Sequence, residues 1–366
     1  MSIRPNLNTN NRPSGVGSSI KTIAIDAMGG DIGPAVTIPA VITYLNEASS
    51  ETKHKFILVG KEEPLESLIK KHKGSDYLNS GHIRIQAASQ EVEMDEAPAL
   101  ALRKKKDSSM RVAINLVKDG TADAAVSAGN TGALMATARF VLKTIKGINR
   151  PAIISTMPNQ DTSTTTHMLD LGANVDSTPE MLVQFATMGS ILTQYVDKKP
   201  EPRVALLNVG AEEIKGSDKV KKASVLLADS ELNYVGYIEA DEIFTSRVDV
   251  IVCDGFEGNV ALKASEGTAS MVLSVMKEEF TLNILSKAIA WLCKPIFNRM
   301  SKRLDPRLHN GATLIGLTGI VVKSHGGADE LGFLHAIREA TQQAEMDVIE
   351  QIIVSYQSIL ILILKL

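Results

Sequence analysis

Ala124-Ala125-Val126-Ser127-Ala128-Gly129-Asn130-Thr131-Gly132-Ala133 passes from an apolar run through glycine and asparagine into a helical pattern at 133–142. The theme recurs four times: at 22–26 before Ala27-Met28-Gly29-Gly30-Asp31, at 168–171 before Gly172-Ala173-Asn174, at 204–207 before Asn208-Val209-Gly210, and at 250–253 before Asp254-Gly255-Phe256-Glu257-Gly258-Asn259. Continuous apolar runs, unlike alternating ones, suit strands buried on both faces, as in a parallel sheet. Helical patterns at 35–46, 133–142, 179–195, 219–229 and 262–276 lie between them. Strand–turn–helix alternation predicts βαβ units and a doubly wound α/β fold. In such sheets the loops at the strands' carboxyl ends converge on one crevice, so the five glycine-rich turns are expected to be neighbours. Glycine admits close backbone approach, and helix N-termini offer free N–H groups to anions. Together these point to a phosphate site; the structural alternative is that Gly and Asn only serve tight turns.

The chain has 366 residues, with 39 Lys+Arg against 42 Asp+Glu, a net charge of −3. That balance argues against a nucleic-acid partner, whose footprint is usually basic. The 44% apolar and 22% charged content is that of a folded globular protein. Aromatics make up only 4%, so the core is expected to be aliphatic. Two cysteines, Cys253 and Cys293, are too few for a disulfide framework or a four-thiolate zinc site, which fits a reduced cytoplasmic compartment. Residues 1–20 read as a loose polar tail rather than a signal peptide. Residues 351–366 read as a second tail whose apolar run at 359–364 is far too short to span a bilayer.

Several motifs fail. The stretch Gly15-Val16-Gly17-Ser18-Ser19-Ile20-Lys21-Thr22 lacks the second glycine of a Walker loop, and no Gly-x-Gly-x-x-Gly or His-Glu-x-x-His occurs. No cofactor or metal site is indicated. Ser127, Asp254 and His325 fall in the order of an α/β-hydrolase triad, although Gly129-Asn130-Thr131-Gly132 lengthens the elbow. Cys253 reads as a buried strand residue more than a nucleophile. His325 follows an apolar run at 314–322, a good exit for a site residue or a helix-capping turn. Lys104-Lys105-Lys106 is a solvated face or a dock for an acidic partner. Between Glu279 and Asp305 no acid occurs, while Lys287, Lys294, Arg299, Lys302 and Arg303 do, with Arg307 just beyond. Leu285, Ala288, Ile289, Leu292 and Ile296 share one helix face. Pro295 is expected to break that helix, giving an amphipathic hairpin over 280–307. With Trp291 and Phe297 it suits a membrane surface or a partner groove; packing on the core or at a dimer interface is the alternative.

At this point the sequence closely resembles the PlsX family, the phosphate acyltransferases of bacterial phospholipid synthesis. The resemblance spans about 21–350. It rests on Ile25-Asp26-Ala27-Met28-Gly29-Gly30-Asp31, Asp107-Ser108-Ser109-Met110, Val126-Ser127-Ala128-Gly129-Asn130-Thr131-Gly132-Ala133, Arg150-Pro151-Ala152, Leu169-Asp170-Leu171-Gly172-Ala173-Asn174, Leu207-Asn208-Val209-Gly210 with Glu212-Glu213, Cys253-Asp254-Gly255-Phe256 with Gly258-Asn259-Val260-Ala261-Leu262-Lys263, and Lys323-Ser324-His325-Gly326. The resemblance implies a Rossmann-like α/β/α sandwich similar to phosphotransacetylase and isopropylmalate dehydrogenase, and a homodimer. It implies that inorganic phosphate and a long-chain acyl–acyl-carrier protein yield acyl phosphate for a membrane glycerol-3-phosphate acyltransferase, and hence for phosphatidic acid. It also implies a cytoplasmic protein held peripherally at the inner face of the membrane, with 280–307 as the contact. The chain departs from the family pattern at Ile32-Gly33-Pro34, where many members have His-Ala-Pro, and at Ala211 and Ile214.

The implied chemistry asks little of the protein. Phosphate is itself a nucleophile, and a thiol of pKa about 8.5 leaves readily. The site must orient the dianion and stabilise an oxyanion. Gly29, Gly30, Asp31, Ser127, Asn130, Thr131, Asn174 and Lys215 are the expected phosphate or thioester contacts. Lys263 and Lys323 are expected to offset charge, His325 to protonate sulfur or donate to the oxyanion, and Asp254 to orient a Lys or His. Lys104–Lys106 or Arg299–Arg307 would steer the acidic carrier. A serine hydrolase using Ser127 and a non-catalytic acyl-binding scaffold are the other classes.

Overall fold

A computed structural model of the chain describes residues 20–48 and 54–363. The expected tail at 1–20 lies, apart from Ile20, outside the described residues, as do residues 364–366. Among the described residues there are eleven strands: β1 (Thr22–Asp26), β2 (Lys55–Gly60), β3 (Ile83–Ala87), β4 (Ala124–Ser127), β5 (Ala152–Met157), β6 (Thr166–Leu169), β7 (Val204–Leu207), β8 (Tyr234–Ile238), β9 (Val250–Val252), β10 (Ala312–Ile315) and β11 (Ile320–Lys323). They form one sheet in the order β3-β2-β1-β4-β11-β10-β5-β6-β9-β7-β8.

The core explains why the apolar runs do not alternate. Ile23, Ile25, Ala124 and Val126 enter a buried cluster with the helices Pro34–Glu47 and Glu330–Glu345. Their neighbours Ala24 and Ala125 pack on the opposite side, with the helix Ser109–Lys118. Every second residue thus faces a different helix layer, and both faces are covered. The result is an α/β/α sandwich with an aliphatic core.

The sheet is mixed, which corrects the expectation of a simple parallel one. β3-β2-β1-β4-β11 are mutually parallel, and so are β6-β9-β7-β8. Between the blocks, β11–β10, β10–β5 and β5–β6 are antiparallel. Three reversals leave the blocks with opposed polarity. Their carboxyl-end loops therefore open toward opposite ends of the sheet, and the five glycine-rich turns form two crevices rather than one.

The second correction concerns the C-terminus. Residues 348–363 are helical, and Val348, Ile352 and Tyr356 pack into the core of the second block, so 351–356 is no tail. Their i, i+4 spacing places them on one face.

The third concerns the hairpin. Its arms are the helices Gly255–Thr281 and Ile284–Leu304, and the break falls at Leu282 and Asn283. Pro295 lies inside the second helix. Asn283 sets the boundary: extended and with its side chain accepting from Ser286 N–H at 2.9 Å, it caps the second arm. Phe280 meets Phe297 edge-on at 4.6 Å across the arms. Leu285, Ile289, Leu292 and Ile296 are exposed, with Trp291 73% accessible. Lys287, Lys294 and Arg299 are exposed as well, while the side chains of Lys302 and Arg303 lie outside the described ones.

Asp249, just before β9, is tied to Lys199 at 2.7 Å and to Arg203 at 3.0 Å. Burial raises its pKa, but the hydrogen bonds from Arg203 and Lys199 outweigh that and hold it at about 2. The stabilisation is therefore complete above the carboxylate's ordinary pKa near 4 and is lost as pH falls toward 2. Acid titration followed by circular dichroism should show that Asp249→Asn is less stable at neutral pH and loses less stability than wild type between pH 4 and 2. Parallel acid curves would contradict this.

Candidate active site in two crevices

The first crevice lies where the strand order reverses: β1 leads to β2 on one side, while β4 joins it on the other. Ligands of doubly wound sheets bind outside the carboxyl ends at such a switch point. Three turns meet here, after β1, β4 and β11. Gly30 adopts φ +94°, and a Cβ on it would lie 2.9 Å from Ala128 Cβ and 3.0 Å from the Gly326 carbonyl. Only glycine fits this approach. Asp31 N–H donates to the Gly326 carbonyl at 2.9 Å. A cavity of about 220 Å³ adjoins, between residues 30–34 and 91–94.

Beneath the turns is a buried polar cluster. Ser127 Oγ donates to Asp26 Oδ2 at 2.6 Å and accepts from Gly129 N–H at 3.0 Å. Lys323 Nζ donates to the carbonyls of Ala128 and Ser324. Burial pushes the Lys323 ammonium down to about 8, against the pull of Asp26 and Asp31. Burial likewise raises the pKa of Asp26, against the nearby Ser109 and Ser127 hydroxyls, which favour its charged form.

Asn130 has no free amide: Nδ2 donates to the carbonyls of Met94 and Glu96, and Oδ1 caps the helix Thr131–Leu142 by accepting from Ala133 N–H at 2.9 Å. Its backbone carbonyl takes Leu134 N–H. The N–H groups of Thr131 and Gly132 are left without an intrahelical acceptor. His325 is exposed, and its Nδ1 accepts from Gly327 N–H at 3.1 Å, which leaves Nε2 as donor of the neutral ring.

The second crevice is the reversal between β7 and β9. Asp170 is fully buried and accepts from Ile153 N–H, Ala173 N–H, Asn174 N–H and Asn174 Nδ2 at 2.7–3.0 Å. Asn174 Nδ2 also donates to the Pro151 carbonyl, so both its hydrogens are used. Asp254 caps the Gly255–Thr281 helix by accepting from Phe256 and Glu257 N–H, and pairs with Lys219. Its own carboxylate thus occupies the anion position of that helix. Lys215 is exposed and pairs with Glu212 at 2.8 Å. Lys263 is exposed two turns into the helix and has no ion pair among the described residues. Gly172 packs beside Asn259.

Gly29, Gly30, Asp31, Ser127, Asn130, Thr131, Lys323 and His325 are thus brought together, while Asn174, Lys215, Asp254 and Lys263 belong to the other crevice. The hydrolase constellation is not assembled, since Ser127 donates to Asp26 and Asp254 lies in the second crevice. Cys253 is buried, and burial pushes its thiol well above the ordinary range, so it is no nucleophile. Lys105 is held by Glu96 at 2.8 Å and the Glu91 carbonyl, and Arg307 by Asp305 and Asp329; Lys104 and Lys106 stay exposed. The sequence motifs by themselves assign no role to Asp26, Asp170 or Lys219. A signal existed for the acids: three of the five apolar runs lead directly into an aspartate, Asp26, Asp170 and Asp254.

Residues 21–351 match the family model described as fatty acid synthesis protein. A phosphate acyltransferase of Legionella pneumophila (strain Paris) is 53% identical over 330 residues, covering 90% of this chain and 94% of that protein. One from Nitrosococcus oceani is 53% identical over 331 residues, covering 90% and 95%. Among solved structures, a phosphotransacetylase from Streptococcus pyogenes superposes with TM-score 0.58 at 18% identity, over 89% of this chain and 94% of that one. A branched-chain phosphotransacylase from Enterococcus faecalis gives TM-score 0.58 at 14% identity, over 89% and 99%. These two likenesses show the fold, and the level of sequence identity shows more: the chain belongs to the fatty acid synthesis protein family and is an acyltransferase, akin to the phosphate acyltransferases.

Proposed function

We propose that the protein transfers a long-chain acyl group from the thioester of acyl-carrier protein to inorganic phosphate, in the crevice at the ends of β1, β4 and β11. The observation that carries this reading is the switch point itself, where the turns after β1, β4 and β11 pack on one another and bear the free N–H groups of Thr131 and Gly132, the His325 ring and the Lys323 charge. A phosphate oxygen adds to the thioester carbonyl, the carbon–sulfur bond breaks, and thiolate departs. The N–H groups hold the dianion, while His325 Nε2–H donates to the oxyanion or to the leaving sulfur. Lys323, buried behind the turns, supplies positive charge without touching bulk water.

The product, acyl phosphate, suits a membrane glycerol-3-phosphate acyltransferase on the route to phosphatidic acid. No described helix is long and apolar enough to cross a membrane. The exposed apolar and basic residues of the Ile284–Leu304 arm fit peripheral contact with the inner face of the cell membrane, in a cytoplasmic homodimer. Carrier docking falls to the exposed Lys104, Lys106 and Arg299.

A second placement of the reaction rests on one observation, the exposed lysines Lys215 and Lys263 at the other crevice. Product analysis with acyl-carrier protein, with and without phosphate, tests the activity; thioester loss independent of phosphate would refute it. His325→Ala is expected to lower kcat about 100-fold. If Lys215→Ala and Lys263→Ala abolish turnover while His325→Ala does not, the second crevice holds the reaction.

A further inference from the structure

We infer that Asp26 is a positioning residue for acyl transfer: from beneath the crevice its carboxylate sets the turns after β1, β4 and β11 that hold the reacting groups. This rests on placing the reaction in the first crevice. Asp26 ends β1 and is 1% exposed. Oδ2 accepts from Ser127 Oγ at 2.6 Å, and Ser127 in turn takes Gly129 N–H, so the carboxylate reaches the turn after β4 through one side chain. The turn after β1 closes over it: a Cβ on Gly29 would lie 2.5 Å from Oδ2 and 2.9 Å from Gly129 N. Oδ1 is buried and has no hydrogen-bond partner among the described residues. Burying a carboxylate in this way costs folding stability, so stability alone does not account for Asp26.

Its electrostatic partner is Lys323, whose Nζ bonds the Ala128 and Ser324 carbonyls and so joins the turns after β4 and β11. The charged groups acting on Lys323 are Asp26 from β1 and Asp31 from the turn beyond it. The helix Ser109–Lys118 and β4 face Asp26 with the uncharged Ser109 and Ser127. Asp26 favours the ammonium form of Lys323, so removing its charge makes Lys323 deprotonate at lower pH.

The full-length variants Asp26→Asn, Ser127→Ala and His325→Ala, compared by kcat, KM and pH–rate profile with melting followed in parallel, test this. Asp26→Asn should lower kcat about 100-fold with KM for the acyl donor little changed, and move the alkaline limb down by about one pH unit. Ser127→Ala should lose about tenfold in kcat with the limb unmoved. A merely structural Asp26 would lower melting temperature without moving the limb, and that result, or an unchanged kcat, overturns the inference. If Asp26→Asn does not fold, Ser127→Ala decides, and a wild-type kcat there overturns it. His325→Ala at the wild-type rate removes the placement of the reaction itself, a separate failure.

Discussion

Asp170→Ala should cost about 4 kcal/mol of folding stability, roughly one per hydrogen-bond donor left without its acceptor. Asp170 closes β6 and gathers four donors: Ile153 N–H at 2.9 Å, Ala173 N–H at 3.0 Å, Asn174 N–H at 2.7 Å and Asn174 Nδ2 at 2.9 Å. The site is sealed from water, so alanine leaves no replacement acceptor. Against a usual total of about 5–15 kcal/mol, the loss removes from roughly a quarter to most of the stability margin. Denaturant unfolding measures it directly, and a midpoint equal to wild type would show that the turn finds other acceptors. Asp170→Asn should fall between the two, since one oxygen remains while the amide's hydrogens face donors.

The second large effect lies on the opposite side of the same seam. In Gly258→Ala the new methyl would overlap the Asp170 carbonyl oxygen and sit 2.8 Å from Cys253 Sγ. Neither obstacle is the far end of a flexible side chain. The first turn of the Gly255–Thr281 helix must move away, carrying Asp254 from Lys219. Overpacking of this kind costs about 1–3 kcal/mol, and more where backbone must shift. The expected result is a drop in melting temperature with the hairpin displaced, read by the fluorescence of Trp291, the only tryptophan. An unchanged melt and spectrum would mean that the helix start is loosely docked. Because the two residues touch, the double variant should cost less than the sum of the singles.

How much of this was legible beforehand follows from how far each signal reaches along the chain. The run at 204–207 and the turn at Asn208 are local facts, and β7 appears where the pattern puts it. Asn130 stands out in the sequence beside Gly129, but what its amide serves, Met94, Glu96 and Ala133, does not. That distinction depends on residues 34–36 positions away, which periodicity cannot register. Pro295 misleads for the opposite reason. It is a local breaker, and its competitor, the Asn283 cap, lies twelve residues earlier.

By itself the order of residues determined the α/β class, the aliphatic core and the glycine-built turns, since each rests on side-chain period and backbone freedom within about ten residues. Tertiary structure alone decided that β10 and β5 run antiparallel between the two blocks. Strand polarity there hinges on how distant segments pair, and nothing in a short apolar run encodes direction. Together with the reversals on either side of it, that pairing splits the candidate residues into two groups and puts Asp26 under one of them.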